Sequence, residues 1–140
     1  MDLERAIEIA ASAHRGQFDK AGQPYILHPL RVMLVCEGEV ARIVAVLHDV
    51  IEDTDWTPDA LREEGASADV LAALDTVTKR KGESYSEFIE RVAQNPIGRE
   101  VKIADLRDNM DLSRITEPSE ADLVRMERYR SALVRLTDHY

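Results

Sequence analysis

The stretch AVLHDVIEDTDW, Ala45 to Trp56, opens as an apolar helix and closes on four acids, Asp49, Glu52, Asp53 and Asp55, crowded beside His48. Val44, Leu47 and Ile51 fall on one helical stripe and call for a partner surface. The carboxylates do the opposite, because burying one without a partner costs far more than leaving it in water. A segment apolar enough to be buried and acidic enough to resist burial implies something positive at its end. It also sets the period of the fold, which is helical.

Outward from that stretch, helix signals recur and strand alternation hardly appears. Asp2 suits the N-cap of a helix running to about Arg15, with Leu3, Ile7 and Ala10 or Ala11 on one face. The loop GQFDKAGQPY follows, and Pro29 fits the first turn of a second helix carrying Leu30, Val32, Met33 and Val35. Gly38 is expected to end it, and the next helix to run from about Val40 to Ile51 or a little beyond. Thr57-Pro58 and Ser67 open two more helices, and Ser84 with Glu87 forms a capping box for SEFIERVAQ. Pro96 interrupts, and Val101, Ala104 and Met110 mark a helix from Ile97. Ser119 with Asp122 caps a last helix bearing Leu123, Met126, Tyr129, Leu133 and Leu136. The expectation is an all-α bundle of about eight helices, a single domain over residues 1–140.

Composition narrows the class. The chain is 44% hydrophobic and 32% charged with few aromatics, which suits a helical globular protein. The one cysteine, Cys36, lies in the apolar run RVMLVCEG and reads as core filler in a reducing compartment. The N-terminus carries acids from its second residue and no long apolar run, so neither a signal peptide nor a membrane span is expected, and the expected address is cytoplasmic. A net charge of −9 argues against duplex nucleic acid or an anionic membrane as partner, since both rely on a basic footprint. A phosphorylated small molecule remains compatible if a metal and a few cations offset the repulsion locally.

On a helix, His48 and Glu52 would be neighbours four apart, as would Asp49 and Asp53. An adjacent His-Asp pair can serve one ion that lies between their directions, and the ion then needs ligands from elsewhere. His28, in PYILHP, and Asp105, an acid within the apolar face of KIADLRDN, have suitable chemistry. Two imidazoles with two carboxylates suit manganese, iron or zinc better than magnesium or calcium. Spacing alone does not assemble these four. The run EDTD by itself reads equally as a solvated helix end, and His14 and His139 read as ordinary surface or core histidines. His48 and Asp49 differ because they follow Val44, Val46 and Leu47 directly, where an unpaired polar group destabilises. The bare residues leave a metal site and a solvated acidic end evenly matched.

HPLRVML at 28–34, LHDVIEDT at 47–54 and VKIADLRDNM at 101–110, preceded by AHRGQ and GQPYI, resemble the HD-domain metal phosphohydrolases. More narrowly they resemble the hydrolase domain of the RelA/SpoT enzymes and its small stand-alone relatives, including the animal Mesh-type alarmone hydrolases. The likeness runs in the same order from about Ile7 to Ser113. It implies an HD helical fold holding one manganese ion, or another divalent transition metal, through His28, His48, Asp49 and Asp105. It implies that Glu52 and Asp53 are catalytic acids that position and activate water, and that Lys20, Tyr25 and Asn109 contact substrate. The activity implied is hydrolysis of a nucleotide 3′-pyrophosphate of the guanosine tetraphosphate type.

Two segments depart from the family pattern. Asp19-Lys20 stands where the longer enzymes usually carry Arg-Lys, whose arginine packs on guanine, and an acid cannot make that cation–π contact. Asp108 and Asp111 stand where the family commonly has His before the Asn and Arg two after it. The expectation is therefore an intact hydrolytic core with an altered, more acidic substrate rim. An HD phosphohydrolase for another nucleotide and a non-catalytic nucleotide-sensing domain are the alternatives. Glu52 and Asp53 weigh against the second, since a sensor needs no water-activating acids. No second domain for nucleotide synthesis is expected.

Overall fold

The computed structural model describes residues 1–111 and 117–138, so the expected end of the family match at Ser113, and His139, lie outside the described residues. Among the described residues the regular structure is helical: α1 Leu3–Ala13, α2 Leu27–Val35, α3 Glu39–Leu47, α4 Val50–Asp53, α5 Pro58–Glu63, α6 Ala68–Val77, α7 Tyr85–Val92, α8 Pro96–Asn109 and α9 Glu120–Thr137. The one β-type pairing among them is an isolated bridge between Phe18 and Pro24. The caps form where the sequence places them. Asp2, Thr57 and Ser67 each accept a backbone N–H three residues on, and Ser84–Glu87 and Ser119–Asp122 close reciprocal capping boxes.

Helix α3 is the hub, packing on α1, α2, α6 and α8. Val44, Ala45, Val46 and Leu47 are all fully buried. The single stripe read from the sequence thus widens from Ile43 to Leu47 into a surface covered on every side, while Glu39 and Arg42 stay exposed. Each buried Val or Leu contributes about 1.5–3 kcal/mol. A smaller cluster of Phe88, Ile89, Val92, Leu106 and Leu136 joins α7, α8 and α9. Cys36 is buried, as read.

Two expectations change. Gly38, with φ of 86°, is the N-cap of α3 rather than the end of α2, which stops at Val35; a positive φ suits glycine there. The expected helix from Val40 to Ile51 is also interrupted, and the interruption builds the site.

Candidate metal and phosphate site

At His48 and Asp49 the chain keeps right-handed helical angles, but the regular ladder lapses between α3 and α4. Nδ1 of His48 donates to the carbonyl of Ala45 at 2.6 Å, so Nε2 turns away from the helix into the bundle. There it meets Asp49 Oδ2 at 3.0 Å and Asp105 Oδ1, brought by α8, at 3.2 Å. His28, from the first turn of α2, points Nε2 at the same place, 2.8 Å from Asp105 Oδ1 and 3.8 Å from Asp49 Oδ2. His28, His48 and Asp105 are buried, and the Asp49 carboxylate is nearly so. Ligands around a small divalent cation, at roughly 2.0–2.2 Å from it, stand about 3–3.5 Å from one another, so the donor set and its spacing fit such an ion. The atoms of His28, His48 and Asp49 fall within one metal-sized group.

The surrounding groups hold the carboxylates in place. Lys102, three residues before Asp105 on α8, donates to Asp105 Oδ2 at 2.9 Å, and Asn109 donates to Asp105 Oδ1 at 3.1 Å. Tyr25 donates its hydroxyl to Asp49 Oδ2 at 2.5 Å. Burial opposes ionisation of Asp105, yet the Lys102 charge and the two imidazoles hold its carboxyl well below the usual range. Burial likewise opposes Asp49, and the charge on His48 brings it down to about 2. Burial works against charged imidazoles, but hydrogen bonds to Asp105 and Asp108 raise His28, and the charges of Asp49 and Asp105 raise His48.

Asp49 and Asp105 line a cleft of about 440 Å³, together with Glu52, Lys79, Tyr85, Lys102, Asn109, Arg128 and Tyr129. Glu52 is exposed at its edge, and Oε1 accepts the backbone N–H of Lys79 at 2.9 Å. Asp53 is exposed too, and burial of part of its carboxyl with the charges of Asp49 and Glu52 raises its pKa. A second cavity of about 270 Å³ adjoins the cleft, sharing Tyr25, Asn109 and Tyr129, and is lined further by Phe18, Asp19, Lys20, Asp111, Asp122, Arg125 and Met126. His14 is buried, with Nδ1 2.8 Å from the Gln17 amide oxygen, and gives no atom to the cluster.

Three expected rim residues make contacts that their sequence reading did not include. Lys20 lines the second cavity with its ammonium bonded to Asp122 of α9 at 2.8 Å. Asp19 closes the loop, since Oδ1 accepts the N–H groups of Ala21 and Gln23, both at 2.9 Å. A short polar residue there makes the turn, which explains why an acid is accommodated. Asp108 lines neither the cleft nor the second cavity and is bonded instead to His28 Nδ1 at 2.6 Å. The sequence reading missed the cationic side of the cleft, Lys79, Lys102 and Arg128. Of these only Lys102 left a local signal, its three-residue spacing to Asp105.

No family model matches the chain. A probable GTP pyrophosphokinase of Mycobacterium leprae is 34% identical over 130 residues, covering 84% of this chain and 16% of the relative. A guanosine-3′,5′-bis(diphosphate) 3′-pyrophosphohydrolase of Aquifex aeolicus is 33% identical over 121 residues, 78% of this chain and 17% of its own length. The chain thus spans about a sixth of the curated relatives it matches. A solved structure described as "A metazoan ortholog of SpoT hydrolyzes ppGpp and plays a role in starvation responses" superposes with a TM-score of 0.80 at 24% identity, over 98% of this chain and 85% of that one. Shared sequence over about four fifths of the chain, and a shared fold over nearly all of it, make this an HD-domain protein related to the RelA/SpoT hydrolase domain.

Proposed function

We propose that the chain is a manganese-dependent phosphohydrolase that removes the 3′-pyrophosphate from a guanosine tetraphosphate-type nucleotide. The observation that carries this reading is the convergence of four ligand-type atoms, from His28, His48, Asp49 and Asp105, two of which, Asp49 and Asp105, line a cleft that also holds Glu52 and three cations. The name of the Aquifex aeolicus relative supports the substrate class.

A divalent ion held by those four residues would lower the pKa of a water and polarise a phosphoryl oxygen. The chain's own residues supply the rest. Glu52, fixed at the cleft edge by the Lys79 N–H, orients the attacking water or passes a proton to the leaving ribose 3′ oxygen. Asp53, whose raised pKa makes its carboxylate a better base than an ordinary aspartate, stands beside it. Lys79, Lys102 and Arg128 offset the phosphate charge. Water adds to the 3′-pyrophosphoryl group, the bond to the 3′ oxygen breaks, and the products are GDP or GTP and pyrophosphate. Tyr25, Asn109 and Tyr129, shared by the two cavities, lie where ribose would bridge the cleft and a base stacked near Phe18.

The test is turnover with manganese on guanosine and adenosine 3′-pyrophosphates, with NADPH and simple nucleotides beside them. Cleavage of the 3′-pyrophosphates to pyrophosphate is expected, with the two bases within about tenfold in kcat/KM, because stacking tolerates any base. A second reading, an HD phosphohydrolase for another phosphorylated nucleotide, draws on the acids Asp19, Asp111 and Asp122 in the second cavity. Silence toward every 3′-pyrophosphate with cleavage of another nucleotide would establish it.

Metal occupancy should depend on pH with a defined sign. His28 and His48 have pKa values raised above the ordinary imidazole range, and an ion must displace their protons. Apparent manganese affinity is therefore expected to fall as pH drops, beginning above about 6.5, by about tenfold per pH unit for each proton displaced. Equal affinities at pH 8 and pH 6, measured by calorimetry, would contradict this.

A further inference from the structure

Helix α8 grips His28 on both ring nitrogens. Nε2 faces Asp105 Oδ1 at 2.8 Å, and Nδ1 donates to Asp108 Oδ2 at 2.6 Å. Asp105 and Asp108 are three apart on that helix, so both carboxylates project from one face. Asp108 is itself clamped by Arg31, three residues after His28 on α2: Nε donates to Oδ1 at 2.8 Å and Nη2 to Oδ2 at 3.1 Å. That bidentate geometry is the strongest form of such a pair. The Asp108 side chain is 12% exposed, and Asp108 lines neither the cleft nor the second cavity.

Asp108 takes Arg31 on both carboxylate oxygens and His28 Nδ1 on one of them, so it stands as the acceptor to three N–H groups. An acceptor at Nδ1 keeps the proton on that nitrogen and presents Nε2 to the cluster. His48 obtains the same setting from the Ala45 carbonyl, a backbone group that no side-chain substitution removes. His28 depends on a side chain, and on one that differs from the family's usual residue.

We infer that Asp108, set in place by Arg31, is a positioning residue that fixes the ring orientation and tautomer of His28 for a divalent ion. The inference rests on the metal reading above and adds a carboxylate–imidazole pair behind it. Such partners orient a ligand and raise its basicity, and losing one typically weakens metal binding by about 10–100-fold. The competing role is a plain clasp between α2 and α8, which would change stability but not the ion's surroundings.

The experiment uses the full chain freed of metal, titrated with manganese by calorimetry and with cobalt(II) by its visible absorption. Asp108→Ala is expected to raise the manganese Kd about 10–100-fold and to shift the cobalt bands. Asp108→Asn, whose amide oxygen accepts from Nδ1 without charge, should recover part of the loss. Parental Kd and cobalt spectrum in Asp108→Ala, with only the metal-free Tm lowered, overturn the inference in favour of a clasp. Should Asp108→Ala fail to fold, Arg31→Gln at the partly exposed partner decides: a smaller rise in Kd with the same spectral change supports the inference, and parental values overturn it. A parent chain that takes up neither ion overturns the metal reading itself, a result distinct from a parent that binds and variants that bind equally well.

Discussion

Glu52→Gln is expected to lose about 100-fold or more in turnover while keeping its full manganese content. The substitution preserves size, and the amide oxygen can still accept the Lys79 N–H, so the loop after α6 stays where it is. What disappears is the ability to take or give a proton. Glu52 is exposed at the cleft edge and its Oε1 is taken by the Lys79 N–H, so metal content should be insensitive to its charge. Elemental analysis and kcat on one preparation provide both readouts. Parental turnover would remove Glu52 from the chemistry, and lost metal would make it a ligand or the partner of one.

Asp105→Ala is expected to lose most of the bound metal and to destabilise the metal-free fold by on the order of 3 kcal/mol, the usual scale for breaking a buried ion pair. Four groups meet at this carboxylate: His28, His48, Lys102 and Asn109. Its removal leaves the Lys102 ammonium beside two imidazoles without the anion that offsets them. Asp105→Asn separates the two effects, since it keeps the volume and one acceptor while removing the charge. Both variants should show less than a fifth or so of the parental metal by elemental analysis, with Asp105→Asn the more stable to heat. A full metal complement in Asp105→Ala would exclude this residue from the ligand set.

The helices were legible because their signals are local. A cap joins groups three residues apart, and Asp2, Thr57, Ser67, Ser84 and Ser119 make those bonds whatever the rest of the chain does. The lapse at His48 was not legible. Helical angles persist through it, and what changes is the His48 ring, whose Nδ1 takes the Ala45 carbonyl so that Nε2 can meet residues from two other helices. The full burial of Val44 to Leu47 was not legible for a related reason. Periodicity shows that a helix has an apolar face, but only packing shows how wide the covered part is.

For the candidate site, the sequence by itself determined which chemistry was available: two imidazoles and two carboxylates in motifs that resemble one family, with two acids one turn beyond. Only the tertiary structure decided what each residue touches. Asp108 read as a rim acid and is the partner of His28 across 80 positions of chain; Lys20 read as a substrate contact and is bonded to Asp122, 102 positions away. Tyr25 holds Asp49, and Lys102 holds Asp105. The reason is physical. Caps and turns are satisfied within a few residues, so their energetics are written in the local sequence, whereas a buried charge must be offset by whichever group folding brings within about 3 Å of it.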